Sequence, residues 1–502
     1  MARTAEQRIA QSQAESDEQY RELRAYVTGA GSRTASAYDV EQRVFRSVLA
    51  MGRTLLRLFF ESRAATRPAG PVVSAESAVL AYHDRRPVTY LSVFGKIVFH
   101  RHAFTAPGQA MVFPLDAEVS LPKRCYSDLL REWSGFGSAD ASFREVAASL
   151  ERILGWPLSI HALETTARED AVDVPAFYER QEEATAPPPE SGQAAASILV
   201  AQADGKGIPM VQPPTERPAR RGKGHPSNRL REAVVTALYT IQPYQRTPEA
   251  VAAALLRDAG RPGPIPGPRP RPVNKELRAT LDGKAVAVER LAARALRREG
   301  PQITDRVALT DGAEALQDKI RAALPDFTLV LDIIHAVEYL WDAANAILGE
   351  RHPERTAWVR GYLVLLLQGR TDDVLAALTT AADEPTLSAT QQKAIAATIR
   401  YYRRNAPYMR YGQYLEHGWP IGTGVIESAC GHLVKDRMEH AGMRWTKDGA
   451  HAILDLRAVR LTDNWDAYWA FHRHRQHQRL YGAAASVSLH PEAQLLAHHA
   501  AA

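Results

Sequence analysis

The sequence predicts a multi-domain α/β protein whose core is a mixed sheet with helices on both faces. Three observations predict it. Short apolar segments that read as buried strands, SILVAQAD, RVALTD and FTLVLD, each run into an acid: Asp204, Asp311 and Asp332. Segments with apolar residues at helical spacing follow the last two, so strand and helix alternate as in an α/β core. Upstream, a β-hairpin and a run of helices mark further folding units, as suits a chain of 502 residues.

Residues 1–120 read as an α+β region. The polar start MARTAEQRIAQSQAESDEQYRELR is helical in character and unlike a secretory leader. A second helix, VEQRVFRSVLAMGRTLLRLFFESR, spaces Val44, Val48, Leu49, Leu55, Leu56 and Phe59 on one face, which is expected to meet the core or a second copy. Arg46, Arg53 and Arg57 interrupt it, so it is no membrane span. VTYLSVF and KIVFHRHAF alternate about Gly95 and predict a hairpin. His100, Arg101 and His102 would give it a basic edge, suited to phosphate or to plain solvent. MVFPLDAEVSLP reads as a short strand and turn.

Residues 121–183 are helical. Ser142-Phe143-Arg144-Glu145 is a capping box that opens a helix running to about Leu154. GWPL breaks it, and Ser159 is placed to cap IHALETTARED. Helix, short turn, helix is the layout of a DNA-binding helix-turn-helix, which would aim His161, Thr165 and Arg168 at the major groove. An ordinary helical hairpin produces the same pattern.

Residues 184–197, ATAPPPESGQAAAS, form a linker by composition. Residues 198–445 are the expected core. After the first strand, PPTERPARRGKGHPSNRLR reads as a flexible basic loop with unspecific phosphate affinity. REAVVTALYTI is a second strand, and GRPGPIPGPRPRP is a loop. Past Asp311-Gly312, a helix carries Ala315, Leu316, Ile320 and Leu324 on one face. From Asp332 and His335 onward the chain is helical, with a helical insertion at about 343–412. Then comes HGWPIGTGVIESACGHLVKDRMEHAGMRW. Its Pro and Gly punctuation precedes a helix over residues 425–438, with Glu427 in the first turn and Lys435 and Arg437 further along. Residues 446–502 form a helical basic tail, whose FHRHRQHQ is expected to be solvated rather than to bind metal.

Composition narrows the function classes. A net charge of +5 suits a polyanionic partner without requiring one. Two cysteines far apart, Cys125 and Cys430, leave no disulfide framework and no cysteine-built zinc site, which fits a reducing cytoplasm. Acids at the ends of neighbouring strands converge on one rim. Oxygen ligands there suit Mg²⁺ or Mn²⁺, and two such ions about 3.5–4 Å apart are the recurrent device for in-line phosphoryl transfer. Glu427 is placed to supply an acid from a distant helix.

With these residues in place, the chain resembles a DDE transposase with an RNase H-like core, and more narrowly the ISKra-type insertion-sequence transposases, distant relatives of the Mutator-like group. The resemblance rests on ADGKG at 203–207, TDGAEAL at 310–316, LDIIHAVEYLW at 331–341 and, above all, WPIGTGVIESACGHLVKDRMEHAGMRW at 419–445. It extends to the hairpin near Gly95, to PLD at 114–116 and to DNWDAYWAFH, and so covers nearly the whole chain.

The resemblance implies that Asp204, Asp311 and Glu427 bind two Mg²⁺ or Mn²⁺ ions for cleavage and strand transfer at transposon ends. Asp332 and His335 match an accessory motif. Asp332 is also a strand-end acid and an alternative to Asp311 as the middle ligand; the Asp-Gly context and element order favour Asp311. Lys435 and Arg437 would touch DNA, or lie on a solvated face. Trp419 and Trp445 are either core aromatics or stacking platforms for a base. A homodimer or larger synaptic assembly, associated with the nucleoid, is implied as well. One rival is a domesticated, non-catalytic helix-turn-helix DNA-binding protein, which predicts loss of at least one of the three acids; all three are present. Another is a glycoside hydrolase, which predicts aromatic loops, whereas the loops here are rich in Arg, Lys and Pro.

Overall fold

The computed structural model describes residues 4–68, 71–74, 77–183, 198–211, 230–257, 268–440 and 442–482. The linker at 184–197, nearly all of the basic loop, most of the Pro/Gly/Arg loop and the chain beyond residue 482 lie outside the described residues. The protein is mixed α/β and divides into two compact units, residues 1–177 with 463–502 and residues 178–462.

In the first unit, helices α1 (Ala5–Thr28) and α2 (Ala37–Arg63) pack on each other. Each begins with a capping box, Thr4 with Gln7 and Ser36 with Asp39. The apolar face of α2 is only partly core-facing. Phe60 is buried and stacks on Phe99 at 4.2 Å, but Val48, Leu55 and Phe59 stay nearly half exposed. Strands β1 (Val72–Val73), β2 (Val79–Ser92) and β3 (Gly95–Thr105) form an antiparallel sheet in that order. The expected hairpin closes at Ser92 opposite Gly95, where a φ of +110° favours glycine.

Two expectations change here. The basic edge is not free, because Arg101 forms an ion pair with Asp116 and stacks 3.7 Å over Phe113. PLDAE is a short helix, α3 (Pro114–Glu118), with Pro in its first turn. Only an isolated bridge, Phe104 to Val112, remains of the strand.

Helices α4 (Asp128–Asp140), α5 (Phe143–Leu154) and α6 (Ile160–Asp170) pack together around Leu130, Val146, Leu150 and Leu163. Ser142 and Glu145 form the expected capping box, and Gly155 ends α5 at a φ of +81°. Ser159 stands at the N-cap of α6, but its side chain makes no capping bond. The division between the units falls within α7 (Val174–Glu183).

The second unit is organised on a five-stranded sheet of β4 (Ile198–Pro209), β5 (Leu230–Ile241), β6 (Val273–Thr280), β7 (Asp305–Thr310) and β8 (Thr328–Leu331). Its spatial order is β6-β5-β4-β7-β8. The first three strands are antiparallel, while β7 runs parallel to β4 and β8 to β7. Helix α8 (Pro248–Leu255) follows β5, α9 (Lys284–Arg297) follows β6 and α10 (Glu314–Ala323) follows β7.

Alternation along the strands gives the sheet two buried faces. Leu199, Ala201, Ala308 and Leu329 pack towards α9 and α10. Ile198, Val200, Val307, Leu309 and Val330 pack on the opposite face, towards α11 (Ile333–Leu348). That core continues into the helical insertion, α12 (Arg355–Leu367), α13 (Thr371–Ala382) and α14 (Ala389–Asn405), and into α15 (Tyr411–Glu416). Helix α16 (Gly424–Ala429) runs directly into a π-helical segment (Cys430–Lys435) and α17 (Asp436–Met438), and α18 (Lys447–Leu461) packs against β6.

The expected basic tail is two helices, not one solvated element. The second of them, α19 (Trp465–Tyr481), belongs to the first unit. Its His472 is buried and donates from Nδ1 to Asp173 at 2.7 Å, and Arg479 reaches the same carboxylate at 2.5 Å. Acids from α6 and the segment after it make burial of this basic helix tolerable; they lie some 300 residues upstream and were invisible to a local reading. Both cysteines are free thiols. Among the described residues, no helix is long and apolar enough to cross a membrane.

Candidate functional site

Strand register brings three acids into one row. Gln202 lies opposite Leu309, and Leu309 opposite Val330. Two residues further along the three parallel strands stand Asp204, Asp311 and Asp332. A step of two preserves the face, so all three acids leave the sheet on the side of α11, with adjacent strands about 4.8 Å apart. One detail differs from the sequence reading. Asp204 does not end its strand, because β4 continues, paired to β5, as far as Pro209. It stands where the parallel pairing with β7 has stopped.

Each acid is held differently. Asp204 accepts the Gly205 N–H at 2.6 Å through Oδ1, and its Oδ2 receives the Cys430 thiol at 3.4 Å. Burial raises its pKa, and the neighbouring charge of Asp311 raises it further. Asp311 accepts the Ala313 N–H at 2.9 Å, which shapes the turn into α10. From the insertion, the Tyr401 hydroxyl donates to the Asp311 carbonyl at 2.9 Å, and Arg404 donates to the Gly312 carbonyl. Gly312 has a φ of +92°, and a Cβ there would lie 2.7 Å from the Tyr401 hydroxyl. Gly312→Ala should therefore lower stability by about 2 kcal/mol, read as a fall in melting temperature. Unchanged melting would show that this turn is not gripped.

Asp332 is fully buried and caps α11. Its Oδ2 accepts the His335 N–H at 3.1 Å and the imidazole Nδ1–H at 2.7 Å, and its Oδ1 accepts the Thr423 N–H at 2.9 Å. The hydrogen bond to Asp332 pushes the His335 pKa up to about 9 against the opposing effect of burial, so the ring is cationic at neutral pH. The Ile333 N–H donates to the Ile421 carbonyl at 2.9 Å. The start of α11 is thereby tied to the loop that leads to Glu427.

Glu427 lies exposed in the first turn of α16, and its Oε1 accepts the Thr423 hydroxyl at 2.8 Å. The regular helix expected over residues 425–438 is interrupted by the π-helical segment, a feature frequent at functional sites. Lys435 is exposed. Arg437 is not: it is fully buried, 4.8 Å over the Trp445 ring, with Nη1 3.5 Å from the Met443 sulfur. It is a core cation and not a DNA contact. Trp445 is buried and donates to the Met438 carbonyl at 3.1 Å. Trp419 stacks on Tyr414. Both tryptophans belong to the packing of this unit.

Asp332, His335 and Glu427 each place one ligand atom within 4.8 Å of the others. Sequence reasoning paired Glu427 with Asp204 and Asp311 instead; those two stand on one side of Asp332 in the strand row. The donor chemistry, carboxylates that are partly buried at Asp204 and Asp311 and exposed at Glu427, suits hard cations. Asp332 is fully buried with both of its oxygens engaged within the protein; both oxygens of Asp204 are engaged as well, but Asp204 is only partly buried. Asp332 orients its neighbours through these bonds. The roles of Thr423 and Tyr401, and of Gln202, whose buried side chain accepts the Ile426 N–H, were missed in the sequence. Gln202 alone left a signal, as a polar residue inside the apolar run SILVAQAD.

In the first unit, His161 and Arg168 are exposed and Thr165 is half-buried on the outer face of α6. The Thr165 hydroxyl donates back to the His161 carbonyl at 2.8 Å, and Arg168 Nε to the Glu164 carbonyl at 3.2 Å. The structure brings these three together on one helix face. No protein-family model matches the chain, and no curated protein matches it.

Proposed function

We propose that this protein is a transposase of the DDE type, resembling the ISKra-type enzymes, that cuts and joins DNA strands at the ends of a mobile element. The observation that carries the reading is the row Asp204, Asp311 and Asp332 on parallel strands, facing the helix of Glu427. The order of the sheet, three antiparallel strands followed by two parallel ones, supports an RNase H-like core.

Asp204, Asp311 and Glu427 would hold two Mg²⁺ or Mn²⁺ ions. When bound, such a pair supplies Lewis-acid activation of the attacking oxygen and charge stabilisation of the leaving one. The chain's own groups do the rest. Asp332 fixes the loop before Glu427 and holds the His335 imidazolium in place, where its charge can draw a phosphodiester towards the acids. Lys435, exposed on the same helical path as Glu427, extends that positive field along the strand. The outer face of α6 would read the element's ends through His161, Thr165 and Arg168. A dimer or larger assembly that holds both ends belongs to the same reading.

The test is cleavage of labelled DNA carrying the ends of the protein's own element, with Mg²⁺ or Mn²⁺ against EDTA. The expected products are metal-dependent nicks with 3′-hydroxyl ends that join to a second duplex. Binding without cleavage under all metal conditions would sink the reading and leave a DNA-binding protein.

A further inference from the structure

We infer that Gln202 is a positioning residue for Glu427, capping from β4 the helix that carries this acid. The inference rests on the proposed function for its chemical consequence, but not for its geometry.

Gln202 is completely buried in the central strand of the sheet. A buried amide is costly unless its polar atoms find partners, and both ends of this one do. Its Nε2 donates to the Tyr239 hydroxyl at 3.2 Å, on the adjacent strand β5. Its Oε1 accepts the backbone N–H of Ile426 at 2.9 Å, from 224 residues downstream.

Ile426 is the third residue of α16, whose N-cap is Thr423. In an ordinary helix the N-cap hydroxyl would accept that N–H. Thr423 makes no such bond: its backbone, at φ −86° and ψ 15°, lies outside the extended region of a capping residue, and its hydroxyl donates to Glu427 Oε1. Gln202 takes the capping role, while the Thr423 hydroxyl orients the acid.

A second contact sets the alignment. Cys430 on the same helical path meets Asp204, two residues beyond Gln202 on the same strand face. Two strand residues advance about 6.8 Å, and the four helical residues from Ile426 to Cys430 advance about 6 Å. The helix therefore runs along β4, pinned at both points, and Glu427 lies between the pins. This arrangement fixes the separation of Glu427 from Asp204, on which joint metal binding depends.

The test uses the full-length chain in a Cys125→Ser background, so that Cys430 is the single thiol. Gln202→Leu removes the acceptor, whereas Gln202→Glu keeps an acceptor oxygen for the Ile426 N–H. Two quantities are measured: the rate of Cys430 alkylation by N-ethylmaleimide without metal, and the affinity for Mn²⁺ by calorimetry. Gln202→Leu should speed alkylation about tenfold and weaken Mn²⁺ about tenfold, and Gln202→Glu should restore both towards wild type. A purely structural role would lower the melting temperature and leave Mn²⁺ affinity unmoved. Should Gln202→Leu fail to fold, Gln202→Asn, one methylene too short to reach Ile426, carries the same test. Wild-type alkylation rates in Gln202→Leu, or equal rates in the Leu and Glu variants, would overturn the inference. If the wild-type chain binds no Mn²⁺, the two-metal reading falls, and the alkylation rates alone decide whether Gln202 pins the helix.

Discussion

Glu427→Gln, Asp204→Asn and Asp311→Asn should each lower metal-dependent DNA cleavage by about a thousandfold or more while DNA binding persists. The size follows from what each carboxylate does. Every 1.4 kcal/mol of lost barrier reduction is about a factor of ten, and a catalytic metal supplies several kcal/mol of charge stabilisation. An amide keeps the shape of the side chain but loses the negative charge that holds a hard cation. Binding should survive because the face of α6 proposed to read DNA lies in the other compact unit. Single-turnover cleavage beside a gel-shift titration separates the two effects. Full activity of Asp311→Asn, with Asp332→Asn dead but well folded, would move the middle ligand from Asp311 to Asp332. Retained cleavage in all of the variants would remove the two-metal reading.

Asp332→Asn should act first on stability. The fully buried carboxylate caps α11, receives the His335 imidazolium and anchors Thr423. Loss of its charge-assisted bonds should cost about 3 kcal/mol, a large part of a net stability of about 5–15 kcal/mol. A pH signature accompanies it. His335 is raised to about 9 in the folded chain, above the ordinary value of 6.5. A histidine raised in this way contributes its full stabilisation below about 6.5 and loses it as pH rises through about 9. Wild-type stability should therefore fall across that window, by no more than about 2 kcal/mol, because the ring is one-third exposed and partly screened. Denaturant melts between pH 6 and 10 should show this slope in wild type and lose it in Asp332→Asn. An equal slope in both proteins would assign the ionisation elsewhere.

Much of the core was legible because its signals are local. The strands around Asp204, Asp311 and Asp332 are short apolar runs, and the capping box at Ser142 is a four-residue pattern. Strand β6, VNKELRAT, was missed because it lies at the sheet edge and carries polar residues through most of its length. Arg437 was misplaced because helical position alone does not reveal what a neighbouring segment covers; Trp445 folds over it. His472 was read as solvated for the same reason, since Asp170 and Asp173 come from a distant part of the chain.

By itself, the sequence determined the alternation of strands and helices, the acids at the strand rim and Glu427 in the first turn after a glycine loop. Those features depend on residue type and short-range spacing, which backbone geometry converts directly into strand or helix. Only the tertiary structure decided which acids are fully buried and which stay partly exposed. Asp332, equivalent to Asp311 in the one-dimensional pattern, is fully buried against Thr423 and His335, while Asp311 is only partly buried. Gln202 became the cap of a helix 224 residues away. Such roles depend on register between parallel strands and on partners brought together by folding, and no local window of the chain contains them.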